Sequence, residues 1–182
     1  MKPLAKYAIL LAICKIWDLY TTWMRTPDLS RELNVVVRLF GSNWTLNIIY
    51  NILFWIVTLL IVRVVITPNK SFWPPQQNLT KSQLLSFLCC GEIKSLWSLF
   101  FAMPSSFFRF WYVFAGVLFF AEPLEHIVAG TSNLLLTLSP SYVQWFNTNL
   151  TQKVALEVII VVLISFYAFI AREYKVYKAK AA

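Results

Sequence analysis

Apolar residues in this chain come in long unbroken runs rather than in short alternating segments. A helix that crosses a bilayer needs about 20 mostly apolar residues. Trp44 to Ile66 and Val154 to Ala171 meet that requirement outright. Tyr7 to Trp23 is a third run, interrupted by Lys15 and Asp18. Phe107 to Ala121 is a fourth, short and strongly aromatic, extending back toward Leu96, with Pro104 placed to start or kink it. The pattern predicts an all-α integral membrane protein in a single transmembrane helical domain covering 1–182. Its four transmembrane helices fall at about residues 5–23, 44–66, 105–121 and 153–171.

The polar intervals between the runs predict short interfacial helices. Trp73-Pro74-Pro75 breaks any helix in the connection after Ile66. Residues 80–99 then read as an amphipathic segment on the inner face, with Leu84, Leu85, Phe87, Leu88 and Trp97 opposite Lys81, Glu92 and Lys94. Thr26 and Pro27 read as the cap and first position of another helix, ending near Gly41.

Composition removes the soluble alternatives. Apolar residues make up 59% and charged residues 13%, against roughly 45–50% and 25% in a soluble domain. That excludes a disordered chain and argues against a soluble globular one. The net charge of +8 acquires its meaning from where the charges fall. With both termini cytoplasmic, 11 Lys and Arg lie inside and four outside, with Lys15 in a span to complete the 16. Six of the eight acids lie on or near the outer side. The basic excess is therefore a topology signal, with a contribution from anionic lipid. The expected partners are the lipid bilayer and other membrane-protein subunits, with no nucleic acid. Lys2 and Lys6 precede an apolar run, but no small-x-small cleavage site follows, so the first helix is expected to be retained. Three Cys, two of them adjacent, make no disulfide framework or metal-ligand spacing.

The candidate chemistry sits at the outer ends of the runs. Asp18 is an acid about one turn inside the outer end of the first helix, and an intramembrane charge marks a functional site by default. Asn47, Asn51 and Thr58 recur on one face of the second helix. Glu122, Glu125 and His126 share a face if the turn through Pro123 is helical. Two carboxylates and the chain's one His suit proton transfer or a divalent metal, although no cofactor is evident. Glu157 lies one turn into the last run, four residues after Lys153, a spacing that predicts an ion pair between them. Asp18, Glu32 and His126 are the candidate catalytic groups. Asp28, Asn34, Asn47, Asn51, Glu122, Glu125 and Glu157 are the candidate ligand-binding groups. Together they predict a polar cavity opening outward.

The motif D-x-x-T-T followed by T-P-D-L-x-x-E-x-N is carried by Asp18, Thr21, Thr22, Thr26, Pro27, Asp28, Leu29, Glu32 and Asn34. It resembles an uncharacterised group of small bacterial polytopic membrane proteins, over Trp17 to Leu60. The resemblance implies a helical bundle in a bacterial inner membrane and no established reaction. Two expectations follow for function. One is an intramembrane site for a small ligand, lipid or ion, with catalysis open to it. The other is an accessory subunit whose polar residues fasten helices or a partner.

Overall fold

The computed structural model describes residues 2–30, 37, 39, 41, 43–66, 73–74, 78–94 and 104–181. They form an all-helical chain: α1 (Pro3–Arg25), α2 (Trp44–Ile66), α3 (Lys81–Cys90), α4 (Phe107–Leu138) and α5 (Pro140–Ala181). Three of the helices, α2, α4 and α5, are long and apolar enough to cross a membrane. The 23-residue α1 is long enough as well. It is not among those three because Lys15 and Asp18 interrupt its apolar run.

Two helices run further than the apolar pattern indicates. The helix expected near 105–121 continues to Leu138 with Pro123 inside it. Pro123 has no N–H to give the preceding turn, yet the helix carries through, so Glu122 and His126 stay on one face. The last helix begins at Pro140, and at Asn149 its backbone leaves helical geometry (φ −122°, ψ 22°) before resuming.

The chain divides into two compact units, Met1–Leu60 with Ala121–Val161, and Ile61–Phe120 with Val162–Ala182. In the first, α1 buries a stripe of Tyr7, Leu11, Cys14, Lys15, Thr21 and Thr22, the spacing of one helical face. Its opposite face exposes Ile9, Leu10, Ile13 and Ile16. In its C-terminal half the buried stripe is polar (Lys15, Thr21 and Thr22) beneath an aliphatic exposed face, the reverse of a water-soluble helix. Thr21 sits in that buried stripe by donating its hydroxyl to the backbone carbonyls of Trp17 and Asp18, at 3.0 Å each.

The second unit has a conventional apolar core in which Leu84, Leu85 and Leu88 of α3 pack with Val65, Tyr112 and Phe169. The amphipathic segment expected over 80–99 is therefore a short helix whose leucines face a protein core. It starts with a capping box between Thr80 and Gln83 and stops at Gly91, which takes the left-handed conformation (φ 77°). Residues 95–99 lie outside the described residues. Inside this core the carboxylate of Glu173 is fully buried. Its Oε2 accepts from Tyr112 Oη at 2.8 Å and from Trp73 Nε1 at 3.2 Å. Its Oε1 takes a guanidinium N–H of Arg172 at 3.0 Å.

Burial holds the Cys89 thiol in this unit up at about 11, with the neighbouring Cys90 adding to the rise. All three cysteines are free thiols.

Candidate functional site

The site is built where the polar stripe of α1 meets α4. At the contact Gly130 faces Trp17 and the backbone of Asp18. A Cβ there would lie 2.5 Å from the indole ring and 3.2 Å from the Asp18 Cα. The absent side chain lets the two helices come close enough for short side chains to reach across.

The central group is His126. Its Nδ1 lies 2.9 Å from Asp18 Oδ2, and its Nε2 lies 2.6 Å from Lys15 Nζ. An ammonium group has donors only, so with Lys15 charged Nε2 is the acceptor and the ring proton sits on Nδ1, donated to Asp18. Lys15 and Asp18, three residues apart on α1, thus interact through the imidazole and not as a direct pair. Glu122 brings Oε2 to 3.9 Å from Lys15 Nζ and 3.7 Å from His126 Nε2. Glu125 approaches Nδ1 at 3.6 Å from a more exposed position.

A second cluster lies two turns further along α4. Asn133 donates to Thr22 Oγ1 at 2.9 Å, and its carbonyl oxygen accepts from Arg25 at 3.0 Å. Next to it, Ser132 accepts from Lys153 Nζ at 2.8 Å and contacts Tyr142 Oη at 3.1 Å. Lys153 also pairs with Glu157 at 2.8 Å. The pairing expected four residues apart on α5 is therefore present. Arg25 and Lys153 each lie over the ring of Phe146, at 5.6 and 4.6 Å.

Both clusters face one cavity of about 500 Å³, within the range of small-ligand sites, roughly 300–1,000 Å³. Asp18, Asn47, Asn51, Glu122, Glu125, His126 and Glu157 all line it. On α2, Asn51 donates to the backbone and side-chain oxygens of Asn47, at 2.9 and 3.1 Å. Tyr50 and Phe54 supply an aromatic wall, with their rings stacked 5.8 Å apart. Thr58, on the same face of α2, is buried but is not part of the lining.

Asp28 stands apart from this cavity. It borders a shallow hollow with Arg25, Thr26, Pro27 and Ser30. The helix start expected at Thr26 and Pro27 is instead a turn. The Thr26 N–H closes α1 on the carbonyl of Thr22, and the Thr26 hydroxyl donates to Asp28. Leu29 takes a left-handed conformation (φ 58°). The Ser30 N–H, then the Ser30 hydroxyl and that of Thr26, hold the exposed Asp28 carboxyl below its usual range. Glu32 and Asn34 lie outside the described residues.

For a divalent metal, the relevant donors are Glu122, Glu125 and His126. Nε2 of His126 is already taken by Lys15. Among the described residues no group of three or more His, Cys, Asp or Glu side chains is arranged to hold a metal ion.

Arg25, Ser132 and Asn133 are polar lining residues that the sequence pattern does not single out. The signal for Asn133 is present in the sequence. Glu122, His126 and Asn133 fall at i, i+4 and i+11, one face of a helix that continues past Pro123.

No protein-family model matches the chain, and neither does any curated protein or solved structure.

Proposed function

We propose that this is a bacterial inner-membrane protein with four spans and cytoplasmic termini. Its polar cavity opens to the outer side and binds a small ligand, lipid headgroup or ion. Asp18 and His126 are the groups placed to move a proton on what binds. The observation that carries the reading is the Lys15–His126–Asp18 chain of contacts on the wall of a cavity of about 500 Å³. Buried ionisable groups are costly unless paired. A bundle that needed only adhesion between helices has cheaper means in small residues and amide contacts.

The fourth span rests on α1. Its exposed face is aliphatic and its buried face carries Lys15, Thr21 and Thr22, which suits lipid outside and a polar interior. The orientation rests on the 11 inner and four outer basic residues. The bacterial assignment rests on the resemblance of the D-x-x-T…T-P-D-L-x-x-E-x-N motif.

The alternative, an accessory subunit with structural polar groups, draws on Asn133, whose bonds to Thr22 and Arg25 tie α4 to α1. Cysteine accessibility separates the two. In a background lacking Cys14, Cys89 and Cys90, Asn51→Cys is exposed to a membrane-impermeant thiosulfonate in intact spheroplasts and in inverted vesicles. Labelling in spheroplasts alone is the expected result. A residue that stays unlabelled from both sides, in protein that accumulates normally, overturns the cavity reading.

A further inference from the structure

The unoccupied chemistry of the cavity is a missing positive charge. Lys15 is one cation set among three carboxylates, those of Asp18, Glu122 and Glu125. Lys15 Nζ and His126 Nε2 share one proton at 2.6 Å, so together they supply one positive charge. The rest of the lining does not restore the balance. Lys153 and Glu157 cancel each other, and Arg25 is bonded to Asn133 at the far end. Counted over the whole lining, three cations face four carboxylates.

The shortfall is local to Glu122. This residue is 8% exposed, and its Oε2 has no hydrogen-bond partner. The nearest cationic and ring nitrogens lie at 3.9 and 3.7 Å, beyond hydrogen-bond length. A buried carboxylate oxygen without a donor is costly, and native structures fill such positions with a donor. The wall beside it is aromatic. Phe54 already has the Lys15 ammonium 5.1 Å from its ring centroid, and Tyr50 stacks on Phe54. Ring faces attract organic cations.

We propose that this end of the cavity binds the primary ammonium group of a small organic ligand. The ammonium donates to Glu122 Oε2, and its charge is balanced by Asp18 and Glu125. Its alkyl part lies against Tyr50 and Phe54. The inference rests on the cavity reading above and names the ligand class for it. A soluble amine and the ethanolamine headgroup of a phospholipid carry the same chemistry.

The test uses full-length protein in phosphatidylcholine nanodiscs, followed by thermal midpoint and by calorimetric titration. Ethanolamine is the soluble probe. Nanodiscs containing phosphatidylethanolamine form the lipid arm. Potassium chloride, choline and sodium phosphate are the comparators. Saturable binding of ethanolamine is expected, with affinity falling at least tenfold in Glu122→Gln and staying unchanged in the exposed-site control Glu92→Gln. If the lipid is the source, the midpoint rises in the phosphatidylethanolamine discs by more than soluble ethanolamine achieves, and Glu122→Gln abolishes that rise. Glu122→Asp keeps the charge should the Gln variant fail to accumulate, and it is expected to bind more weakly than the parent.

An equal response to potassium overturns the assignment to an organic ammonium. Binding of phosphate alone overturns it while leaving a ligand cavity in place. No response to any amine, together with a Glu122→Gln variant more stable than the parent, shows that a proton supplies the missing charge, and overturns it. Failure of the cavity itself is read separately, by the Asn51→Cys labelling.

Discussion

Lys15 and His126, 111 residues apart in sequence, meet with Nζ 2.6 Å from Nε2. On the other side of the ring the Asp18 carboxylate can only accept, so Nδ1 carries a proton, while Lys15 and Nε2 share one more between them. His126 is the only histidine in the chain, so its ¹⁵N spectrum needs no assignment by mutation. A proton on Nδ1 is expected near pH 7. A ring protonated on Nε2 alone would contradict it.

Removing one member of a buried charged pair leaves the other uncompensated, at about 3–5 kcal/mol. Lys15→Met takes the ammonium away from Glu122 and from His126. At roughly 2–4 °C per kcal/mol for a chain of this size, its thermal midpoint in detergent drops by about 10 °C. Lys15→Met combined with Glu122→Gln removes both charges and recovers part of that loss. Additive losses in the double variant would show that the two residues are not coupled.

Glu173 predicts a similar loss in the other compact unit. Its carboxylate receives Tyr112, Trp73 and Arg172 and has no access to solvent. Gln in its place keeps the shape but presents an N–H₂ to groups that are themselves donors. A loss of about 2–3 kcal/mol is expected, with no change in the accessibility of Asn51→Cys. A Glu173→Gln variant as stable as the parent would mean that the carboxylate is not holding this cluster.

Cys89 predicts a chemical rate. With its thiol held up at about 11 by burial and Cys90, little thiolate exists at neutral pH, and the thiolate is the nucleophile. In a Cys14→Ala, Cys90→Ala background, which leaves burial as the cause of the rise, iodoacetamide should still modify Cys89 more than about tenfold more slowly than a free peptide thiol. The rate should go on climbing with pH above the range in which a free thiol levels off. Labelling at the peptide rate at pH 7.5 would show that the thiol is neither buried nor suppressed.

The apolar runs made α2 legible as residues 44–66, the bounds it has in the structure. Asp18, Asn47, Asn51, Glu122, Glu125, His126 and Glu157 were legible as candidates because ionisable and amide groups are rare in apolar helices. The structure brings these seven to one cavity. Ser132 and Asn133 escaped because an interior Pro ordinarily ends a helix. Stopping near residue 121 discards the later turns, up to Leu138, that carry them. The spacing of Lys153 and Glu157 indicates only their mutual pair, since the reach of Lys153 to Ser132 depends on how α5 packs against α4, which no local pattern encodes. Asp28 lies apart from this cavity for a different reason. Its carboxylate is consumed by its own turn, through Ser30 and Thr26, and Asx turns compete with helix starts for the same residue types.

Gly130 carries a consequence for motion. With the Trp17 ring seated where a Cβ would be, α1 and α4 cannot slide past one another without lifting the indole out, so Asp18 and His126 move as one piece. Any widening of the cavity must then come from its other walls, α2 or the start of α5. The break in α5 at Asn149 falls four residues before Lys153, at the point where a wall would turn. The side of the cavity locked at Gly130 holds Asp18 and His126, and the side that follows the break at Asn149 holds the Lys153–Glu157 pair.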